Sequence, residues 1–131
     1  MSNTKLVVVL RKDLEMPVGL IAAQATHVAD GWMRNRILSE IPGADPNGYF
    51  TNEERDWMET PYVAILGVNC KEELEHVIKI SKEAGLPVNI WEDTIQLQIF
   101  ENKFPDVLVG CSIGPCDSDK LSVTTGCLPL F

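Results

Sequence analysis

Lys5-Leu6-Val7-Val8-Val9-Leu10 runs into the polar exit Arg11-Lys12-Asp13-Leu14-Glu15, and Pro17 then opens Val18-Gly19-Leu20-Ile21-Ala22-Ala23-Gln24-Ala25-Thr26-His27-Val28-Ala29-Asp30-Gly31-Trp32. The first run is continuous, apolar and rich in β-branched residues, which predicts a central strand covered on both faces. Proline is tolerated in a first helical turn. From Val18 the apolar residues Val18, Ile21, Ala22, Ala25, Val28, Ala29 and Trp32 follow helical spacing, so a helix is predicted to about Leu38. Its small residues let it lie close on a sheet.

Working outward, residues 42–52 are rich in Pro, Gly, Asn and Asp and read as a loop. A short acidic helix is expected to start at Thr51 or Asn52, so that positions of about 40–60 form an acidic loop and short-helix insert. Residues 62–68 read as a second central strand. Asn69 with Glu72 three residues on resembles a capping box for the next helix, whose face carries Leu74, Val77, Ile78 and Ser81. Gly85 suits the left-handed position after its last turn, and Pro87 lies just beyond. Residues 88–91 and 107–113 read as third and fourth strands, with 93–98 open between turn and short helix. The tail from Lys120 has a turn at Thr125-Gly126 and an apolar ending that is expected to dock. A helix between successive strands implies right-handed parallel crossovers, whereas the short link before the fourth strand allows an antiparallel neighbour. The expected fold is α/β, three layers (α/β/α) around a mixed four-stranded sheet.

The chain has 131 residues, which suits one domain spanning 1–131. No apolar run approaches the roughly 20 residues of a membrane helix, and the N-terminus lacks a signal-peptide layout. A cytoplasmic protein, away from membranes, is the expectation. Cys70, Cys111, Cys116 and Cys127 include no Cys-x-x-Cys pair, so neither a metal site nor any cofactor is expected, and the thiols should be free. Net charge is −8, from 19 acids against 11 bases, which removes the easy case for a polyanionic partner.

Taken together, the strand, the Arg11-Lys12-Asp13-Leu14 turn, the Ile21-Ala22-Ala23-Gln24-Ala25-Thr26-His27 helix, Gly85-Leu86-Pro87, Asp93, Gln98, Ile113-Gly114-Pro115 and Thr125-Gly126 resemble the type II peptidyl-tRNA hydrolases, over nearly the whole chain outside the insert. The resemblance implies a hydrolase of the ester joining a peptide to the tRNA 3′ end, and a homodimer. It also exposes departures. Where the family has Lys-Gly-Lys at the entrance to the first helix, this chain has Val18-Gly19-Leu20. A family threonine four residues after the key aspartate becomes Leu97, and another in the last strand becomes Val109. Family glycine and arginine after the aspartate become Ile95 and Gln96, while Asp93 remains.

Ester hydrolysis needs a positioned water, a proton acceptor and donors for the developing oxyanion. Asp93 can accept a proton; leucine and valine donate nothing. Loss of one oxyanion donor typically costs about 10²–10³ in rate. The expectation is a divergent member lacking the family's hydrolase activity and acting as a binding protein, with tRNA disfavoured and a protein or small apolar ligand in its place. The binding residues would be Gln24, His27, Val18, Leu20, Leu97 and Val109. The alternative is an active hydrolase using Asp93, aided by Gln24, His27 or the hydroxyls of Thr26, Thr94 and Ser112, so whether the chain is an enzyme stays open. Individual residues also have plainer readings. Asp93 with Gln96 resembles a helix cap. Gln24 and His27, three apart on one helix face, suit a structural pair. Trp32, Trp57 and Trp91 suit core or interface anchors. Cys111 reads as core, and Cys116, after Pro115, as a residue at a pocket edge that would need an adjacent base such as His27 to act as a nucleophile.

Overall fold

A computed structural model describes residues 3–39, 50–95 and 104–131. Leu97, Gln96 and Gln98, with positions 42–49 of the loop predicted at 42–52, lie outside the described residues. The elements follow the chain as β1 (Thr4–Arg11), α1 (Val18–Ser39), α2 (Asn52–Glu59), β2 (Val63–Val68), α3 (Lys71–Glu83), β3 (Val88–Ile95), β4 (Phe104–Asp117) and α4 (Ser118–Thr125).

The four strands form one mixed sheet in the order β2-β1-β4-β3. β1 pairs with β2 in parallel, from Leu6 opposite Val63 to Arg11 opposite Val68. β4 is antiparallel to both β1 and β3, which leaves β3 running in the direction of β1. Alternation along β1 divides the core. Val7 and Val9 point to one face and join Leu66, Val68, Leu74, Val77, Ile78 and Leu121, beneath α3 and α4. Val8 and Leu10 point to the other and join Met16, Ala25, Val28 and Val109, beneath α1. Leu6 continues that second face into a cluster with Trp32 of α1 and Trp57 of α2. The result is the expected three-layer α/β/α fold.

Local chemistry sets the element ends. Thr51 caps α2: its hydroxyl accepts from the Glu54 N–H while the Glu54 carboxylate accepts from the Thr51 N–H. Glu54 is buried and also pairs with Arg36 at 3.1 Å, which ties α2 to α1. Gly85 adopts φ 76° after α3, the left-handed turn anticipated there. The start of α3 differs from expectation. Its cap is Cys70, which makes no side-chain capping bond, and Glu73 rather than Glu72 reaches back, accepting from the Asn69 N–H at 2.7 Å. The helix simply begins one residue later, so the carboxylate three positions into it is Glu73.

The tail also differs. Asp117 caps a helical segment, accepting from the Asp119 N–H at 3.0 Å, so a helix that the sequence reading did not assign, α4, precedes the turn. Beyond it, Leu130 bridges Leu66 in antiparallel fashion and the Phe131 N–H donates to the Ile65 carbonyl, so the C-terminus docks on the β2 edge. No helix among the described residues is long and apolar enough to cross a membrane.

Candidate functional site

β1 and β3 both end on the side of the sheet where α1 begins, and the site lies there, between α1 and β3. Asp93 is in strand, paired opposite Val107, and β3 continues to Ile95 opposite Phe104. It is therefore no helix cap. β4 starts early enough to extend the ladder, and that long-range pairing overrides the local capping pattern.

The Gln24 side chain is 3% exposed, a buried amide on an otherwise apolar helix face. Burial of an amide costs free energy unless both its ends are bonded. Both are. The Gln24 Nε2 donates to Asp93 Oδ2 at 2.9 Å, and Gln24 Oε1 accepts from the Trp91 indole N–H at 2.7 Å. Trp91 is itself held from the solvent side by two groups of α1. His27 stacks on it with ring centroids 5.0 Å apart and planes inclined by 21°. The Arg34 guanidinium lies 5.2 Å from its ring centre and also pairs with Asp30 at 2.8 Å. Next to Arg34, the Asn35 amide donates to Asn89 Oδ1 at 2.9 Å, a second polar tie between α1 and β3. A cavity of about 140 Å³ lies between these ties, lined by His27, Gly31, Arg34, Asn35, Asn89 and Trp91 among others.

Two backbone features shape the sheet beneath α1. The pairing of β3 with β4 shifts between Trp91 and Glu92, so both Val109 and Gly110 face α1. A Cβ at position 110 would run into the Val9 carbonyl oxygen and the Leu10 side chain, so only glycine fits.

The structure thus gathers Gln24, His27 and Asp93 through Trp91, which the sequence offered only as an anchor. The hydrocarbon positions are scattered instead of pooled. Val18 is 84% exposed at the start of α1, Leu20 is half-buried against the α1-side core, and Val109 is fully buried within it. Of the hydroxyls expected to substitute for the family's, Thr26 and Ser112 are committed or closed off. Thr26 donates to the Ala22 carbonyl at 2.9 Å, and Ser112 is buried under the helix. Lys12 lays its side chain over Gly67 of β2, and Arg11 donates to Asp13 and to the Leu108 carbonyl. The Arg11 guanidinium is pushed above its ordinary value, chiefly by its bond to Asp13.

Cys116, expected at a pocket edge, is a core residue instead. It is buried on the α3/α4 face with Leu121, across the sheet from His27, and burial foremost raises its thiol to about 11. Cys111 is likewise core, raised to about 12 by burial. Neither is a thiolate near neutral pH, and a Cys116–His27 pair is ruled out by the intervening sheet. Two larger grooves, of about 490 and 510 Å³, flank Asn3 and Thr4 at the opposite end of β1 and are lined by none of the expected site residues. Among the described residues, no cluster of His, Cys, Asp and Glu has the makings of a metal site.

Comparison with known proteins places this arrangement. The family model described as "Peptidyl-tRNA hydrolase PTH2" matches residues 4–131. The chain is 32% identical over 129 residues to a peptidyl-tRNA hydrolase of Methanothermobacter thermautotrophicus, covering 97% of this chain and 99% of that one. It is 32% identical over 125 residues to one from Methanococcus vannielii, with 95% and 96% covered. It is 29% identical over 128 residues to one from Methanocaldococcus jannaschii, with 97% and 99% covered.

Proposed function

The chain belongs to the peptidyl-tRNA hydrolase PTH2 family, and from that premise we propose that it is a binding protein on the family's fold that has lost efficient ester hydrolysis. The observation that carries this reading is which side chains stand where the family resemblance expects cations and hydroxyls. Asp93 accepts from the Gln24 amide. The positions where the family resemblance expects ammonium groups hold Val18 and Leu20, and the expected hydroxyl of the last strand is Val109, sealed in the core. A carboxylate can orient a ligand or a water. It does not stabilise the negative charge that develops on the ester oxygen, for which donors or cations are needed. The same replacements remove cationic groups that would attract RNA phosphates, in a chain of net charge −8. The ligand is met by the face of exposed His27 with half-buried Trp91 and Arg34 beside Asp93, which suits a partner protein or a small, largely apolar molecule.

One observation favours a second reading, an active hydrolase. The Gln24 amide holds Asp93 at 2.9 Å, as a general base that must be aimed at a water would be held. Incubation of the purified chain with peptidyl-tRNA separates the two. The binding reading expects release of peptide no faster than the buffer background. Repeated turnover that disappears in Asp93→Asn establishes the hydrolase instead.

A further inference from the structure

We infer that Trp91 is a positioning residue: its indole N–H fixes which way round the Gln24 amide sits, and so keeps the Gln24 NH₂ aimed at Asp93. This rests on the reading of Gln24 and Asp93 as the functional pair, whether the outcome is binding or hydrolysis.

The inference follows from what each group is able to do. A glutamine side chain can turn end for end with little change in shape, exchanging its donor for its acceptor. An indole N–H only donates, so the end of Gln24 facing Trp91 at 2.7 Å must be the carbonyl oxygen. The NH₂ is then forced to the other end, where Asp93 Oδ2 accepts at 2.9 Å. Were the amide reversed, two oxygens would face each other at Asp93 and two N–H groups would face each other at Trp91. The amide is 3% exposed, so bulk water cannot relieve either clash.

The ring that imposes this order is itself fixed. His27 stacks on it, and the Arg34 guanidinium lies over it. His27 therefore acts through Trp91, as part of a clamp on the ring. An aliphatic or phenyl side chain at position 91 would keep the strand and much of the packing but would lose the sense of direction.

The test reads the Gln24 side-chain amide directly by ¹⁵N–¹H spectroscopy of the full chain, so it does not depend on any ligand. Two variants are compared with the native protein. One is Trp91→Phe. The other replaces Trp91 by benzothienylalanine, which keeps the bicyclic ring against His27 and Arg34 and removes only the N–H. The expected result is that both variants shift the Gln24 NH₂ signals and speed their exchange with water roughly tenfold, the consequence of losing one net hydrogen bond. His27→Ala should give a smaller change of the same sign. If Trp91→Phe fails to fold, the isostere decides. Gln24 signals unchanged by the isostere overturn the inference.

Peptidyl-tRNA supplies the functional arm. Where the native chain binds or cleaves it, the isostere should lose the same factor as Gln24→Leu, and the double variant should lose no more. Fully additive losses overturn the inference. Absence of any response to peptidyl-tRNA bears on the functional reading of the site alone, and the Gln24 signals still judge the role of Trp91.

Discussion

The two faces of the sheet are built from the same β1 residues, read alternately, and yet they do different work. On the α3/α4 side, Val7 and Val9 meet Leu74, Val77, Ile78 and Leu121, a closed hydrocarbon interior. On the α1 side, Val8 and Leu10 meet Ala25, Val28 and Val109, but the layer is interrupted by a buried amide joined to an indole and a carboxylate. A buried amide costs free energy unless both its ends are satisfied. One face therefore secures the fold, and the other accepts a polar interruption to hold Asp93.

The largest expected effect tests the first half of this contrast. Leu74 is fully buried on the α3/α4 side, and Leu74→Ala should lower unfolding free energy by about 2–5 kcal/mol in denaturant titration. Trp91 fluorescence and the Gln24 amide signals should stay native-like in the folded variant. Next, Gln24→Leu preserves volume but strands the Trp91 N–H and takes a donor from Asp93. It should cost about 1–3 kcal/mol and, unlike the change at Leu74, alter the Trp91 environment. A cost near zero would mean that the polar interruption is not a structural necessity.

The buried thiols sharpen the comparison through pH. Cys116 and Cys111 are raised to about 11 and about 12 by burial. Their folded values exceed the unfolded ones, so their contribution to stability is complete below the ordinary thiol range. It is lost as pH climbs through that range toward the folded values. At pH 7.5 a thiol reagent should label exposed Cys127 in the native chain and reach Cys111 and Cys116 only on unfolding. The smallest effect is expected at the exposed helix entrance. Val18→Lys should shift stability by no more than about 0.5 kcal/mol. Any gain in RNA binding it brings should weaken steeply with salt, as phosphate contacts do.

These regions were not equally legible in the sequence. The run Leu6–Leu10 and the spacing from Val18 to Trp32 carry their own periodicity, so β1, α1 and the layering of the fold could be read directly. The start of α3 was displaced by one residue because Asn69 and Glu72 match a capping pattern that Cys70 and Glu73 pre-empt in space. α4 ends in Thr124-Thr125, residues of modest helix propensity, and its cap Asp117 sits at the end of a long strand. Asp93 looked like a cap because the pairing of Ile95 with Phe104 is invisible locally. Gln24 and His27 could be placed on one face of a helix by counting. What they share could not, since the Trp91 bond spans 67 residues and no short-range pattern announces it. The departures at Val18, Leu20 and Val109 were visible in the sequence, but not that Val18 is exposed while Val109 is sealed in the core. On the proposed reading, what the three share is the removal of charge and hydroxyl groups.

The most direct test of that removal is peptide release from peptidyl-tRNA under multiple-turnover conditions, with the native chain beside Asp93→Asn and the double substitution Val18→Lys with Leu20→Lys. Background-level release by the native chain, and a measurable rise on restoring the lysines, is the result expected here. Rapid release by the native chain that vanishes in Asp93→Asn would contradict it, and would make the Gln24-held carboxylate sufficient for catalysis.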